Sequence, residues 1–344
     1  MAESRTPPRR ILLVSLTLNT HGASLALLRI ADLLRAGGHT ISLLAIEGTR
    51  GDLRAAWEAR DIPVITRVRR DAHDLAICNT VASAPAVCAI ARGCPVIWWL
   101  REAGVGALAL ERYPDWQKAF GAASRIVMQS RLARDSIYRP WLTGVPPERV
   151  VVLPNGIDVP AAFERPPHTL RHRVIGVGPV KRTGDLIAAA ALLDRDDMEL
   201  VIVGDATRLS ASEQRIVDRA PQHFRLTGLL PRQEAYGWIA SADVLAMTSG
   251  SEAQSNVLAE AAFNDTALCA SNLPVLDEYG WQHEKTCLMH PVGHIEALAA
   301  NLQRLLDEPG LAARLAAAAG PNARAHYGLD GFRSRLFELI GKLE

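Results

Sequence analysis

The run ILLVSLTLNTHGASLALLRIADLLRAGG, residues 11–38, decides the architecture. Residues 11–16 are apolar and of strand length, with no helical alternation, which is how a strand buried on both faces reads. Residues 23–36 instead place Leu27, Ile30, Ala31 and Leu34 on one face of a helix, and Gly37-Gly38 stops it. Strand, short loop and amphipathic helix in that order form the first half of a βαβ unit, and the pattern recurs along the chain. Further strands are predicted over 40–46, 75–78, 96–100, 125–128 and 150–153. Together they make one doubly wound parallel sheet.

Residues 154–167 hold four prolines and one glycine, a composition that interrupts both helix and strand, so the hinge is expected there. A second series follows: strands over 174–177, 200–203, 224–227, 244–247 and 267–270, with helices near 185–193, 233–241 and 257–262. The tail from 295 to 344 is helical by pattern, with breaks expected at Pro309-Gly310 and Gly320-Pro321. The chain therefore reads as α/β with two Rossmann-like domains, 1–158 and 159–325, and a C-terminal helix, 326–344, expected to pack back toward the first. Two such sheets would face a cleft at their carboxyl ends, where open α/β folds bind ligands.

The 344 residues suit two cores of ordinary size. A formal charge of +1 excludes a global field that would draw the chain to nucleic acid or to anionic membrane. Arg greatly outnumbers Lys, which stands only at 118, 181, 285 and 342, a bias that points to coding composition rather than function. Five cysteines, an odd number without a C-x-x-C pair, fit buried thiols in a reducing compartment better than disulfides or zinc. The pairs His290/His294 and His168/His172 have helical ligand spacing but no carboxylate or cysteine beside them, so no metal is expected. The N-terminus lacks the features of a signal peptide and no run approaches a membrane span, so a cytoplasmic location is expected.

The chemistry concentrates in TSGSEAQSNVLAEA, residues 248–261, which follows a strand and opens a helix. Free amides near Ser255, Asn256 and Val257, with the positive end of the helix dipole behind them, suit a phosphate. Glu260 lies four residues beyond Asn256, on the same face and about 6 Å further along. Its carboxylate would accept from both hydroxyls of a ribose, while Glu252 would reach the sugar on the other side of the diphosphate. Taken singly, a surface glutamate and a helix-capping loop residue are the plainer readings of Glu260 and Glu252.

In this stretch the chain resembles the GT-B retaining glycosyltransferases of family 4, marked by a Glu-x7-Glu motif that residues 252 and 260 match in spacing. VVLPNGID (151–158) resembles the family's hinge-preceding segment, and NTHGAS (19–24) the loop after its first strand, where Gly22 admits the donor phosphates. Asn79-Thr80 and PVIWWL (95–100) resemble its middle strands. LVIVGD (200–205) and FRLTG (224–228) resemble those beside the nucleobase, with Gly228 and Leu229 among the donor contacts. The similarity spans nearly the whole chain. It implies retaining, metal-independent transfer of a hexose from a UDP- or GDP-linked nucleotide sugar to a hydroxyl of a glycan, lipid-linked or small-molecule acceptor. No other cofactor is implied.

Without a metal, the charge on the leaving diphosphate falls to protein cations and helix dipoles. The resemblance assigns this to the loop GVGPVKRTG (176–184), hence to Gly178, Lys181 and Arg182, although the loop is shortened and Thr183 stands where the family has Lys. After the strand ending at Leu100 the family commonly has His-Glu, its His facing the donor sugar. Here the pair is Arg101-Glu102, and Arg cannot exchange protons near neutrality but can hold an anion. The acceptor is expected near His21, Ala23 and Glu102, with Arg101 among the catalytic groups. Asn264-Asp265 replaces a usual Gly turn.

Two other readings stand beside this one. A catalytically degenerate subunit of the same fold would bind sugar or partner without turnover, and Arg101, Thr183 and Asn264 motivate it. A dinucleotide dehydrogenase lacks its G-x-G-x-x-G after the first strand. Trp116, Phe120 and Trp141, interleaved with Arg112, Arg125, Arg131, Arg134 and Arg139, compose either a peripheral membrane surface or part of the core.

Overall fold

The computed structural model describes residues 7–69, 71–178, 182–205 and 209–343. The chain divides into two compact units, one of residues 1–155 with 330–344 and the other of residues 156–329.

The first unit carries seven strands: β1 (Arg10–Ser15), β2 (Thr40–Ala45), β3 (Val64–Ile65), β4 (Leu75–Asn79), β5 (Val96–Leu100), β6 (Arg125–Met128) and β7 (Val150–Val152). All pair in parallel, in the order β3-β2-β1-β4-β5-β6-β7. Strands β4 and β5 are buried at every residue, as apolar runs without alternation require, because helices cover both faces. Leu12, Val14, Ala76, Cys78, Trp98, Ile126 and Met128 form the core of one face. Phe120 belongs to that core: it is 3% exposed and meets the Trp98 ring edge-on at 4.9 Å. Of the two readings of this residue, core or lipid-facing surface, Phe120 takes the core.

The second unit holds β8 (His172–Val177), β9 (Met198–Val203), β10 (Phe224–Leu226), β11 (Val244–Met247), β12 (Ala267–Ser271) and β13 (Leu288–His290). Its order is β10-β9-β8-β11-β12-β13, again all parallel. In both sheets the strand order reverses beside the first strand, between β1 and β4 and between β8 and β11. Loops leaving the two adjacent strands diverge there to opposite faces and open a crevice at the carboxyl ends.

At the foot of β8, Arg173 is fully buried, with all of its donors used. It bonds Glu199 at 2.7–2.9 Å, the carbonyls of Pro166 and Pro167 at 2.8 and 2.5 Å, and Ser241 at 2.7 Å. This anchors the proline-containing entry segment to the sheet. From Asp330 onward the chain's last helix, Leu329–Gly341, belongs to the first unit, where Phe332 tilts on Trp99 and Phe337 stacks on His39.

The expected break at Gly320-Pro321 is absent, since a single helix runs Pro309–Tyr327. Its Leu315, Ala319, Gly320 and Ala323 are buried, and a Cβ at Gly320 would lie 3.3 Å from the Ala262 carbonyl. Tertiary packing of this small-residue face holds the helix through a proline that local propensity would use to end it. The break at Pro309-Gly310 does occur, with Pro309 in the first turn, where its missing N–H is harmless.

Candidate functional site

In the second unit the crevice between β8 and β11 is a pocket lined by Gly176, Val177, Gly178, Thr183, Leu186, Ala246, Met247, Thr248 and Val257. Gly178 ends β8 with φ +83°, a conformation side chains resist, and lines the pocket. Lys181 lies outside the described residues. Thr183, 6% exposed, donates its hydroxyl to the Gly178 carbonyl at 2.6 Å and closes the loop at the start of the helix Thr183–Leu193. The residue that replaces the expected Lys is thus a loop clasp. Arg182 precedes that helix in the left-handed region, φ 55°, and pairs with Asp185 at 2.6 Å. Its side chain runs past Gly250 and Gly293, where added Cβ atoms would lie 3.6 and 2.8 Å from it.

The helix Asn256–Ala262 begins after the loop from β11, as the sequence pattern requires. Ser255, its N-cap, is buried and donates to the Met247 sulfur at 3.0 Å, so it has backbone rather than hydroxyl to offer a ligand. Val257 lines the pocket and Asn256 is half-buried. Glu252 accepts from the Ser249 hydroxyl at 2.7 Å, and its charge adds to burial, the larger cause, in raising the Tyr327 phenol well above its ordinary value. Glu260 is half-buried one turn into the helix. Asn264 donates both to the Glu260 carbonyl at 2.9 Å and to the Tyr236 hydroxyl at 2.8 Å, and Asp265 takes the left-handed turn at φ 56° in place of a glycine.

A second feature of this unit carries no chemical side chain. Gly204 and Gly228, at φ 119° and 68°, bridge β9 and β10 at their ends, and Leu229 beside them is 66% exposed.

In the first unit the crevice between β1 and β4 is bordered by the helix Gly22–Ala36. His21 is its N-cap, accepting from the Ser24 amide at 3.2 Å, and no acidic residue occupies the first turn. Asn79 at the end of β4 donates to the Ala23 carbonyl at 3.0 Å and accepts from Arg101 Nε. Arg101 is 8% exposed, lies over the Trp99 ring at 4.5 Å, and donates from Nη1 to Asn155 Oδ1 at 2.5 Å. Its Nη2 is buried without a partner. Glu102 turns its carboxylate onto the amides of Val81 and Arg101 at 3.0–3.1 Å, and burial, the larger influence, raises its pKa despite those bonds. The carboxylate placed on the acceptor side by its position is therefore spent on the backbone. Nothing in the sequence signals that Asn79 and Asn155 bracket Arg101, because residues 22 and 54 positions away meet it only through the sheet.

Among the described residues neither histidine pair shares a partner: His290 bonds the Pro291 carbonyl and His294 caps the helix Ile295–Asp307, while His168 bonds the Ser241 carbonyl and His172 lies 3.7 Å from Asp197. Among the described residues no cluster of three His, Cys, Asp or Glu side chains has metal-holding geometry. The five cysteines are free thiols. No described helix is long and apolar enough to cross a membrane.

Two parallel sheets, each with its crevice at a strand-order reversal, define the GT-B class. Residues 7–149 match the model of glycosyl-transferase family 4 and residues 171–308 that of glycosyl transferases group 1. The chain belongs to this family and is a glycosyltransferase. Among solved structures, HepE of Anabaena, determined with UDP-glucose, superposes with TM-score 0.78 over 97% of this chain and 100% of its own at 18% identity. Sucrose-phosphate synthase of Thermosynechococcus elongatus gives 0.76 over 97% and 98% at 16% identity. A glycosyltransferase of Rickettsia africae gives 0.72 over 98% of each chain, also at 16% identity. At such identities these are similarities of fold. No curated protein matches the sequence significantly.

Proposed function

We propose that the chain transfers a sugar, with retention, from a nucleoside diphosphate sugar to a hydroxyl acceptor, without a metal ion. The observation that carries this is the pocket at the β8/β11 reversal, where the Gly178 turn, the Thr183–Leu193 helix start and the Asn256–Ala262 helix start meet. Backbone amides converging on one pocket suit a diphosphate. HepE, similar in fold, was solved with UDP-glucose, UDP and glucose. In this reading Glu260 takes the ribose hydroxyls, the Ser255–Val257 amides the phosphates, with Gly178, its own amide given to the Val203 carbonyl at 2.8 Å, leaving them room by lacking a side chain, and Gly228 and exposed Leu229 the base. Glu252 takes hydroxyls of the sugar. Gly22 offers backbone to the donor, while His21 and Ala23 border the acceptor.

The anomeric carbon–phosphate oxygen bond breaks as the acceptor oxygen bonds that carbon from the same face, and the acceptor proton passes to the leaving diphosphate. Negative charge grows on that diphosphate, and Arg182, with Lys181, is assigned to stabilise it. The Arg182–Asp185 pair is about half exposed on the Arg side, so it is weak and readily exchanged for a phosphate. A thermal-shift screen with UDP, GDP, ADP and their sugars tests the donor class, a stabilising nucleotide raising Tm by mass action. Slow nucleotide release that persists in Glu252→Ala, or no stabilisation by any nucleotide, would overturn the reading.

A further inference from the structure

Arg101 is a cation kept from water whose guanidinium hydrogen-bonds no carboxylate. Its two bonded nitrogens end on neutral amide oxygens, Asn79 Oδ1 and Asn155 Oδ1, and its face is covered by Trp99. The adjacent carboxylate, Glu102, is committed to two backbone amides. Burial, the main influence, pushes the guanidinium down to about 9, which still leaves it charged at neutral pH; the Glu102 charge opposes that fall, and Arg29 adds a second positive charge nearby. An unpaired, dehydrated donor on a charged group is costly, and folds retain one where a ligand completes it. A second observation points to the same place. Asn79 ties the guanidinium to Ala23 in the first turn of the 15-residue helix Gly22–Ala36, whose positive end has no acidic residue to offset it. Thr80, beside Asn79, holds φ 75° with its hydroxyl buried and unpartnered. Such strain at a strand-order reversal marks a functional position.

We propose that the substrate of this enzyme carries a carboxylate, beyond any diphosphate, that Arg101 binds through Nη2. Nη2 is the one guanidinium nitrogen without a bond, and Trp99 covers the face of the group, so a carboxylate oxygen would meet Nη2 in the guanidinium plane and bring the charge that the two amide oxygens lack. A water molecule there would satisfy Nη2 but bring no charge, while the Glu102 carboxylate stays on its backbone amides. The carboxylate belongs either to the donor, as a nucleoside diphosphate uronic acid, or to an acidic acceptor sugar. The inference rests on the glycosyltransferase reading.

The test uses the full chain. Affinity for UDP and GDP alone is measured first, then slow hydrolysis of UDP-glucose against UDP-glucuronate and GDP-mannose against GDP-mannuronate. Transfer is then measured to neutral and uronic-acid-terminated oligosaccharides. Wild type is expected to prefer the acidic member of the donor or the acceptor pair by on the order of 10–100-fold, the arm showing the preference identifying the source. Arg101→Met should reduce the acidic substrate to the level of the neutral one with affinity for the bare nucleotide unchanged, and Arg101→Lys should keep part of the preference. Equal use of neutral and acidic substrates by wild type overturns the proposal, whether or not Arg101→Met folds. An equal loss of affinity for the bare nucleotide in Arg101→Met also overturns it, making Arg101 a phosphate clamp. Failure of every nucleotide to bind would instead sink the glycosyltransferase reading itself.

Discussion

Replacing Glu199 by Gln should strip stability from the second unit while leaving its ligand chemistry intact. Arg173 is 0% exposed and Glu199 2%, so the substitution leaves a guanidinium buried without its counter-ion. Breaking a pair of this kind costs about 3–5 kcal/mol. For a unit of this size each kcal/mol moves Tm by roughly 2–4 °C, so a fall of about 6–20 °C is expected at pH 7 by calorimetry or circular dichroism. The sign of the pH dependence follows from Glu199 itself. Burial opposes its ionisation, but bonds from Thr169 and Arg173 outweigh that and hold its carboxyl below the ordinary value. Its contribution is therefore complete above about pH 4.3 and is lost as pH falls through the lowered native value, so wild type and variant should converge in acid. A double variant, Arg173→Met with Glu199→Leu, should recover only part of the loss, because it removes the orphaned charge but leaves the Pro166 and Pro167 carbonyls and the Thr169 amide without their partners. The functional end is unaffected for a geometric reason: Arg173 lies five residues before Gly178, about 16 Å along β8. A Glu199→Gln protein melting within a degree or two of wild type, or a folded variant with altered nucleotide affinity, would refute this account.

Glu260→Ala should weaken UDP or GDP by on the order of 10–100-fold through loss of charge-assisted bonds to ribose, measured by calorimetric titration, with Tm of the unliganded protein little changed. Asp265→Gly relieves a left-handed residue and should raise Tm slightly, by about 0.5 kcal/mol of stability, since Asp tolerates this region better than most side chains. A fall instead would show that the Asp265 side chain contributes more than its backbone strain costs. His39 and His290 are 5% and 2% exposed, and burial, the main cause for each, lowers their pKa. Their native forms take up protons less readily than the unfolded chain, so this stability is whole above about pH 6.5 and declines below it. A pH series of melting curves should show that decline, flattened in His290→Phe.

The alternation of apolar runs with helical periodicity in 11–38, repeated after the proline-containing segment, was enough to specify two parallel doubly wound sheets, because strand and helix periods are local properties. The start of the helix at Asn256 and the four-residue step to Glu260 were legible for the same reason. Short strands such as Val64–Ile65 and Leu288–His290 were not, being too brief to show a period, and they exist because a sheet edge pairs with them. Nor could local sequence show that the Pro309–Tyr327 helix continues through Pro321, a choice made by the buried small-residue face. The roles of particular side chains depended most on tertiary structure. Sequence could name Thr183, Ser255, Arg101 and Glu102 as site candidates. Only the packed sheets turn Thr183 and Ser255 to Gly178 and Met247, spend Glu102 on backbone amides, and bury Arg101 between Asn79 and Asn155 with one nitrogen unpaired. For Arg101 and Glu102 the physical reason is range, since Asn79, Val81 and Asn155 lie 21 to 54 residues away and are brought there by strand register; for Thr183 and Ser255, whose partners are 5 and 8 residues away, it is that burial under the sheet decides which way a short loop turns its hydroxyl.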